Sequence, residues 1–356
     1  MWLKIVPNDT LFFRTGRPFS MGSETWAEST FPPYPSTIYG ALRTFLLFQR
    51  GDLKSFKEKN YPDIGSPYKK GSMKIMGPFL VKDESLFFHA PFDLVRFNKE
   101  LVCLKNINKP KIFLSDYKLD DLLLFSGKEK VENFNGFIDD ILLKSYLEGR
   151  EKNFSLPKNE LYSLETKVGI ARERVTLTSK EGYLYRATMI RLNRGVSIYI
   201  KVLDAELPKS GILQLGGEGK TAYFEELKNN PLENLEKIDI KLTGGFFKLY
   251  LATPAIFEKG WIPKWIDENT MEGQIQGIKT KLISCSIGRF IRLGGWDMAK
   301  KEPKTMRKAV PAGSVYYFKL LNDISTEDIK EIFHLKNISD INPEEGFGLS
   351  LVGGIR

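Results

Sequence analysis

Apolar runs at strand spacing outnumber those at helical spacing, no regular alternation of strand and helix appears, and a mixed strand–helix order occurs twice along the chain. Together these predict an α+β chain of two tandem ferredoxin-like (βαββαβ) domains carrying insertions. A length of 356 residues exceeds one small core and suits two domains of ordinary size.

The first series reads strand, helix, hairpin, later helix, final strand. Its candidate strands are 2–6, 73–81, 85–89, 184–192 and 197–203, with Asp83-Glu84 as a hairpin turn. Its candidate helices are 37–49, part of 135–147, and 223–228. The second series, from about 244 to 356, has strands at 246–251, 284–291, 315–320 and 349–353 and a helix at 326–335. Ser325 caps that helix, with Asp328 three residues on. The domains are therefore set at 1–228, with insertions at about 52–72 and 93–165, and at 241–356. Asn229, Asn230 and Pro231 mark 225–240 as the linker.

Residues 11–43 carry the most information. Leu11 to Phe13 form an apolar strand-like run that delivers Arg14 and Arg17 into a Gly16/Pro18 turn. Pro32, Pro33 and Pro35 then hold the backbone extended, and Ser36 or Thr37 can N-cap a helix carrying Ile38, Tyr39, Ala41, Leu42 and Phe45. Two arginines and a helix start suit an anion. The same residues also suit a plain strand-to-helix brace with solvated arginines. Arg43, inside the helix, reads as an internal ion-pair partner, and Trp261, Trp265 and Trp296 as core or partner-facing residues.

Hydrophobic content of 42% with 27% charged residues describes a globular protein, not a disordered one. No apolar run approaches the ~18 residues that span a bilayer, and Lys4 and Asp9 fall where a signal peptide needs its apolar block. Cys103 and Cys285 stand apart and read as small reduced core residues of a cytoplasmic protein. No metal site and no cofactor is expected. The net charge of +9 is concentrated: residues 167–220 hold ten Lys/Arg against five acids, and 281–308 hold eight against two. A polyanion such as nucleic acid fits such segments. In 167–194 five of seven basic residues are Arg, with Tyr183 and Tyr185 interleaved, which suits phosphates and bases together. The lysine-rich 300–308 loop is equally well a solvated charged face.

Two glycine clusters punctuate the units, LQLGGEGKT from Leu213 and EEGFGLSLVGGI ending at Ile355. Gly219-Lys220-Thr221 imitates the end of a P-loop, but the motif's first glycine falls on Gln214, so an NTPase is rejected. Glycines there permit positive φ and close approach of another backbone. The only histidines, His89 and His334, read as structural or surface residues, and no acid pair has a metal-nuclease pattern. The residues argue for binding over catalysis.

Several segments, DTLFFRTGRPF, FPPYPSTIYGALR, KVGIARERVT, LQLGGEG, LATPAIFEKGWIPKW, VPAGSVYYF and NPEEGFGLSLVGG, resemble in order those of the third-subunit family of the type III-B CRISPR (Cmr) effector complex. That family belongs to the repeat-associated mysterious protein (RAMP) superfamily. The resemblance spans Asp9 to Gly354; the pieces at 52–72 and 93–165 match nothing in it. It implies two ferredoxin-like (RRM-like) domains, a cytoplasmic subunit without nuclease activity, binding to the 5′ tag of the CRISPR RNA (crRNA), and packing against a large polymerase-like subunit and a backbone subunit, with no membrane contact. An aromatic pair of the RNA-recognition-motif type is not evident, which favours arginines on loops.

The expected RNA path has Arg14, Arg17 and the helix start at Ser36 and Thr37 on one phosphate, and Arg172, Arg174, Arg191, Arg194 and Lys220 along the continuing strand. Gly216, Gly217 and Gly219 would let the strand approach main-chain amides, and Arg289 and Arg292 would contribute from the second unit. Two alternatives stay open: a purely architectural subunit, and a metal-independent endoribonuclease using His89.

Overall fold

The computed structural model describes residues 1–14, 26–110, 118–150, 153–157, 160–173, 175–176 and 178–355. Arg17 and Arg174 lie outside the described residues. The chain is a mixed α+β structure, rich in strands with few helices, and it divides into two compact units. One comprises Met1–Asp83, Glu160–Asn229 and Arg292–Arg307; the other Glu84–Asn159, Asn230–Ile291 and Lys308–Arg356. The units are thus discontinuous in sequence, and much of the stretch expected as an insertion into the N-terminal domain groups with the C-terminal strands.

In the first unit, strand Trp2–Pro7 lies between Val196–Leu203 and Thr221–Leu227, antiparallel to both. Lys74–Lys82 pairs outside Val196–Leu203, and Ser210–Gln214 outside Thr221–Leu227. Leu3 and Ile5 share one face with their cross-strand partners Ile200, Ile198 and Phe224, all of them fully buried. The helix Pro35–Arg50 covers this face. Its Ile38, Tyr39, Leu42, Leu46 and Leu47 are buried, and the Phe45 ring meets that of Phe224 edge-on at 5.1 Å. Helix formation follows from Pro35 at the first helical position, with its φ preset and no N–H to leave orphaned. The N-cap is Tyr34 with no side-chain cap bond, so Ser36 and Thr37 sit inside the first turn and not at the cap expected for them.

The expected helix 223–228 is a strand. In Thr221–Leu227, Ala222 and Phe224 are buried while Tyr223 between them is exposed, a period of two that outweighs the helix preference of its glutamates. Strand Ser210–Gln214 occupies the connection where the second helix of a βαββαβ unit is expected. Asp83 and Glu84 take φ of 50° and 70°, the twisted turn expected between strands Lys74–Lys82 and Ser85–His89.

In the second unit the strand order is Glu272–Ile275, Ile278–Ser286, Val315–Leu320, Phe246–Leu251, Leu349–Gly354 and Lys336–Asn337. The strand expected at 284–291 starts earlier and ends at Ser286. The helix Thr326–Phe333 has the predicted capping box between Ser325 and Asp328. The expected linker is partly structured: 225–227 belong to a strand, and Leu232, Leu235 and Ile238 are buried. One face of the sheet packs an aromatic cluster, with Phe247 stacked on Phe318 at 5.3 Å and Trp265 at 5.5 Å from Phe318 and 5.6 Å from Phe333. Between Leu251 and Glu272 the chain forms turns and isolated bridges and no helix. The helix Asp140–Glu148 packs on Leu349–Gly354 from the other face, where the Gly353 Cα leaves room for Leu147.

That face carries a buried polar cluster. Asp93 is fully buried and accepts hydrogen bonds from the Tyr146 hydroxyl at 2.8 and 2.7 Å and from the Tyr317 hydroxyl. The Lys248 ammonium stands 3.3 Å from the centre of the Tyr146 ring, and its burial lowers its pKa against the opposing pull of Asp93. Asp93→Ala strands both phenols and the cation and is expected to cost about 3–5 kcal/mol in denaturant unfolding. The Asp93→Asn/Lys248→Met double variant, which removes both charges, is expected to cost clearly less; equal losses would show that the charges are not the source.

Candidate nucleic-acid interface

The candidate interface starts where the first strand ends. Asn8 donates its backbone N–H to Thr221 O at 3.1 Å, and Leu11 and Ile190 exchange both backbone hydrogen bonds at 2.7 and 2.8 Å. These ties fix the segment 8–14 between the 221 strand and a long antiparallel hairpin, Tyr162–Arg172 with Ser179–Leu192. Trp26–Ala27 adds a short parallel strand beside Arg186 and Ala187.

Alternation sets the two faces of the hairpin. Ala187 and Met189 point inward and bury against Phe12 and Ala27. Leu164, Val168, Ile170, Leu184 and Arg186 point the other way and are exposed. Trp26 joins that outer face, 56% exposed, with its indole N–H donated to the Thr188 hydroxyl at 2.9 Å. An apolar row with an exposed arginine and indole was not nominated from the sequence. The period-two spacing of Leu164, Val168 and Ile170 between charged residues was the available signal.

At the base of the hairpin an ion-pair cluster closes the inner face. The Asp9 carboxylate accepts from the Lys220 ammonium at 2.5 Å and from the Arg191 guanidinium at 3.3 Å, and Arg191 also forms a two-pronged pair with Glu165. The Lys220 hydrogen bond, the Thr10 backbone N–H and Arg191 hold the Asp9 carboxyl down at about 2. Arg191 lowers the pKa of Glu165 through the hydrogen bond and is itself raised by it. Arg191 and Lys220, expected on RNA phosphates, pair here with carboxylates of the same chain, Lys220 largely covered and Arg191 half exposed.

The glycine loop is likewise used internally. Gly217 N–H donates to Phe12 O at 2.8 Å, and at Gly216, with φ of 80°, an added Cβ would lie 2.5 Å from the same oxygen. Gly219 alone faces open space. The second glycine loop is buried structure: the Thr253 hydroxyl donates to Gly346 O at 2.7 Å, and Gly346 and Gly348 take the positive φ expected of them.

The remaining nominated residues lie on different segments of the chain. Arg172 is exposed near the far end of the hairpin, and Arg194 is exposed in the turn leading to Val196–Leu203. Arg14 is exposed, and its backbone pairs with Ser29. Arg289 is exposed in the second unit and Arg292 in the first. Among the described residues Arg43 makes no ion pair of the expected kind; its guanidinium donates at 2.7 Å to the carbonyls of Ile64 and Ser66. Trp265 is core, whereas Trp296 is 58% exposed.

Neither histidine is arranged as a free general base. His89 packs against Phe137 with ring centres 4.6 Å apart, and burial pulls its pKa down to about 4. His334 uses both ring nitrogens: Nε2 donates to Leu235 O at 2.7 Å and Nδ1 accepts from Val352 N at 3.2 Å. Both thiols are pushed up to about 12 by burial. Among the described residues no group of three or more His, Cys, Asp or Glu side chains is placed to hold a metal ion. Among them also, no helix is long and apolar enough to cross a membrane.

The model of the family described as CRISPR-associated protein (Cas_Cmr3) matches residues 3–354. The chain belongs to this family. A search of curated proteins finds no match. Among solved structures, this Cas_Cmr3 chain is similar to a chain of the type III-B Cmr-beta complex bound to cognate target RNA and AMPPnP, at 17% identity. The likeness covers 93% of this chain and 92% of that one, with a TM-score of 0.53. A chain of Cmr-beta bound to cognate target RNA is similar at 18% identity, with the same coverage and TM-score. At these identities the likeness is one of fold.

The ion-pair cluster gives a pH test. The folded-state pKa of Asp9 is depressed, so its pairing contributes in full above the ordinary carboxyl value of 3.8 and is lost as pH falls through about 2. In an NMR titration the Asp9 carboxyl is expected to have its midpoint near 2, and Lys220→Met to return it toward 3.8. A wild-type midpoint already near 3.8 would dismiss the clamp.

Proposed function

We propose that this Cas_Cmr3 family member is a non-catalytic, RNA-binding subunit of a type III-B CRISPR effector complex, gripping the 5′ tag of the crRNA in defence against foreign nucleic acid. The observation that carries this is the hairpin 162–192: its inner face is locked by Asp9, Lys220, Arg191 and Glu165, while Arg172, Arg186 and Arg194 remain exposed on and beside it. A ribbon with exposed guanidinium groups and an exposed indole meets a single strand through phosphate contacts and stacking. This narrows the path expected from the sequence, because Arg191 and Lys220 act as supports for the ribbon. Arg14, Arg289 and Arg292 stay as candidate contacts in the assembled complex.

The same reading takes both units as ferredoxin-like. Each has its four principal strands in the order fourth, first, third, second; the first has the helices Pro35–Arg50 and Leu53–Glu58 in its opening connection, and the second has Thr326–Phe333 in its last. It also has the chain packing against a large polymerase-like subunit and a backbone subunit of the complex. The related Cmr-beta structures, bound to cognate target RNA, support an RNA-engaged assembly. The histidines support the non-catalytic reading over His-based cleavage, since one is held neutral by burial and the other has both nitrogens occupied.

A second reading, a purely architectural subunit, draws on the exposed Leu164, Val168, Ile170 and Leu184, which would suit a protein partner. Salt titration of guide-RNA binding separates the two. Each phosphate contact on a single strand contributes about 0.7 to the slope of log affinity against log salt, so Arg172→Ala/Arg194→Ala is expected to lower it by about 1.4. An unchanged slope would remove these residues from the RNA path and favour the architectural role.

A further inference from the structure

Two loops of the first unit, 200 residues and more apart in sequence, present aromatic and cationic side chains that the hairpin reading does not use. In the first, residues 61–73 close on themselves: Tyr61 and Gly65 exchange backbone bonds at 2.9 and 2.7 Å, and Ser66 N–H donates to Lys69 O at 2.7 Å. Gly65 has φ of 73°, and an added Cβ there would lie 2.0 Å from Lys69 O, so the loop closes only around a glycine. Arg43 reaches out from the Pro35–Arg50 helix to hold the carbonyls of Ile64 and Ser66. The outcome of this bracing is a Tyr68 side chain that is 85% exposed.

The second loop is braced in the same manner. Trp296 pairs with Pro303 and Asp297 with Glu302 in a short hairpin. The Asp297 carboxylate accepts the N–H groups of Ala299 and Lys300 at 3.0 Å each, and Lys301 N–H donates to Asp297 O at 2.7 Å. The carboxylate is thereby turned onto the backbone, while Lys300, Lys301 and Lys304 remain exposed. The two loops meet: the Lys300 ammonium lies 5.5 Å from the centre of the Tyr68 ring.

We infer that Tyr68, Lys69, Trp296, Lys300, Lys301 and Lys304 form a second site for a single-stranded nucleic acid, distinct in its residues from the hairpin. An exposed ring fixed by a rigid loop offers a stacking platform that costs little ordering on binding, and the lysines around it track a phosphate backbone. An acidic protein surface satisfies the lysines but leaves two exposed rings unexplained. Stacking by RNA and DNA bases is alike, so the shared chemistry is a single strand of either kind.

The test uses the full-length chain and fluorescence anisotropy with labelled oligouridylate and oligothymidylate, in a background of Arg172→Ala/Arg186→Ala that weakens the hairpin. Tyr68→Ala is expected to weaken binding about tenfold and Tyr68→Phe to leave it unchanged. Lys300→Ala/Lys301→Ala is expected to lower the salt slope by about 1.4. Tighter binding of one oligonucleotide identifies the kind of strand. Photocrosslinks from a thiouridine-bearing strand are expected within 66–71 or 295–304. The site is overturned if Tyr68→Ala binds like its parent, if crosslinks stay confined to 162–192, or if polyglutamate displaces the strand equally from the Tyr68→Ala protein and its parent, which would point to an acidic protein. Because the hairpin variants are already in the background, loss of this site and loss of the hairpin path give different results.

Discussion

Asp9 is the junction on which the first unit's candidate interface is built. It follows the central strand directly, and its carboxylate joins the glycine loop through Lys220 to the hairpin through Arg191. Few of these groups are deeply buried, and an isolated pair in their place would contribute little. The cluster gains from sharing: Lys220 is largely covered, Arg191 bridges two carboxylates, and the backbone exchange between Leu11 and Ile190 fixes the same segment independently. What it secures is orientation. With Met189 and Ala187 packed on Phe12, the ribbon has one face committed and the other left to solvent.

The two sheets solve the covering problem in complementary ways. Each needs an element on its apolar face. In the first unit the helix after the opening strand does this, and a strand fills the later connection. In the second unit the later helix, Thr326–Phe333, backs the aromatic cluster, and no helix follows the opening strand. The opposite face of that sheet is covered by Asp140–Glu148, which comes from the stretch between the strands of the first unit. A buried lysine and aspartate on this face are tolerable because two phenols and an aromatic ring complete their surroundings.

Local chemistry was legible in the sequence, and long-range pairing was not. The spaced apolar stripe Ile38, Tyr39, Leu42 and Phe45, the Ser325/Asp328 box and the Asp83-Glu84 turn are short-range signals, and each describes the structure at its own position, whereas Pro35, read as extended, opens the helix. The strand at Thr221–Leu227 was missed because Glu225, Glu226 and Leu227 favour helix intrinsically, while its alternation is dictated by the sheet it enters. The basic segments 167–220 and 281–308 were visible as charge, but no spacing rule reveals that Lys220 would meet a carboxylate 211 residues away. The arginine that matters for the outer face, Arg186, was distinguishable from Arg191 only through the parity of strand positions.

The seating of the helix Asp140–Glu148 on the strand Leu349–Gly354 has a bearing on how the chain is made. The helix leaves the ribosome about 200 residues before the strand it covers. At typical elongation rates that interval lasts about 10 to 40 seconds. Throughout it the apolar side of the nascent helix, with Leu143, Tyr146 and Leu147, lacks its final seat. The second unit therefore closes only once Leu349–Gly354 has emerged, and until then this face of the helix waits for its partner strand.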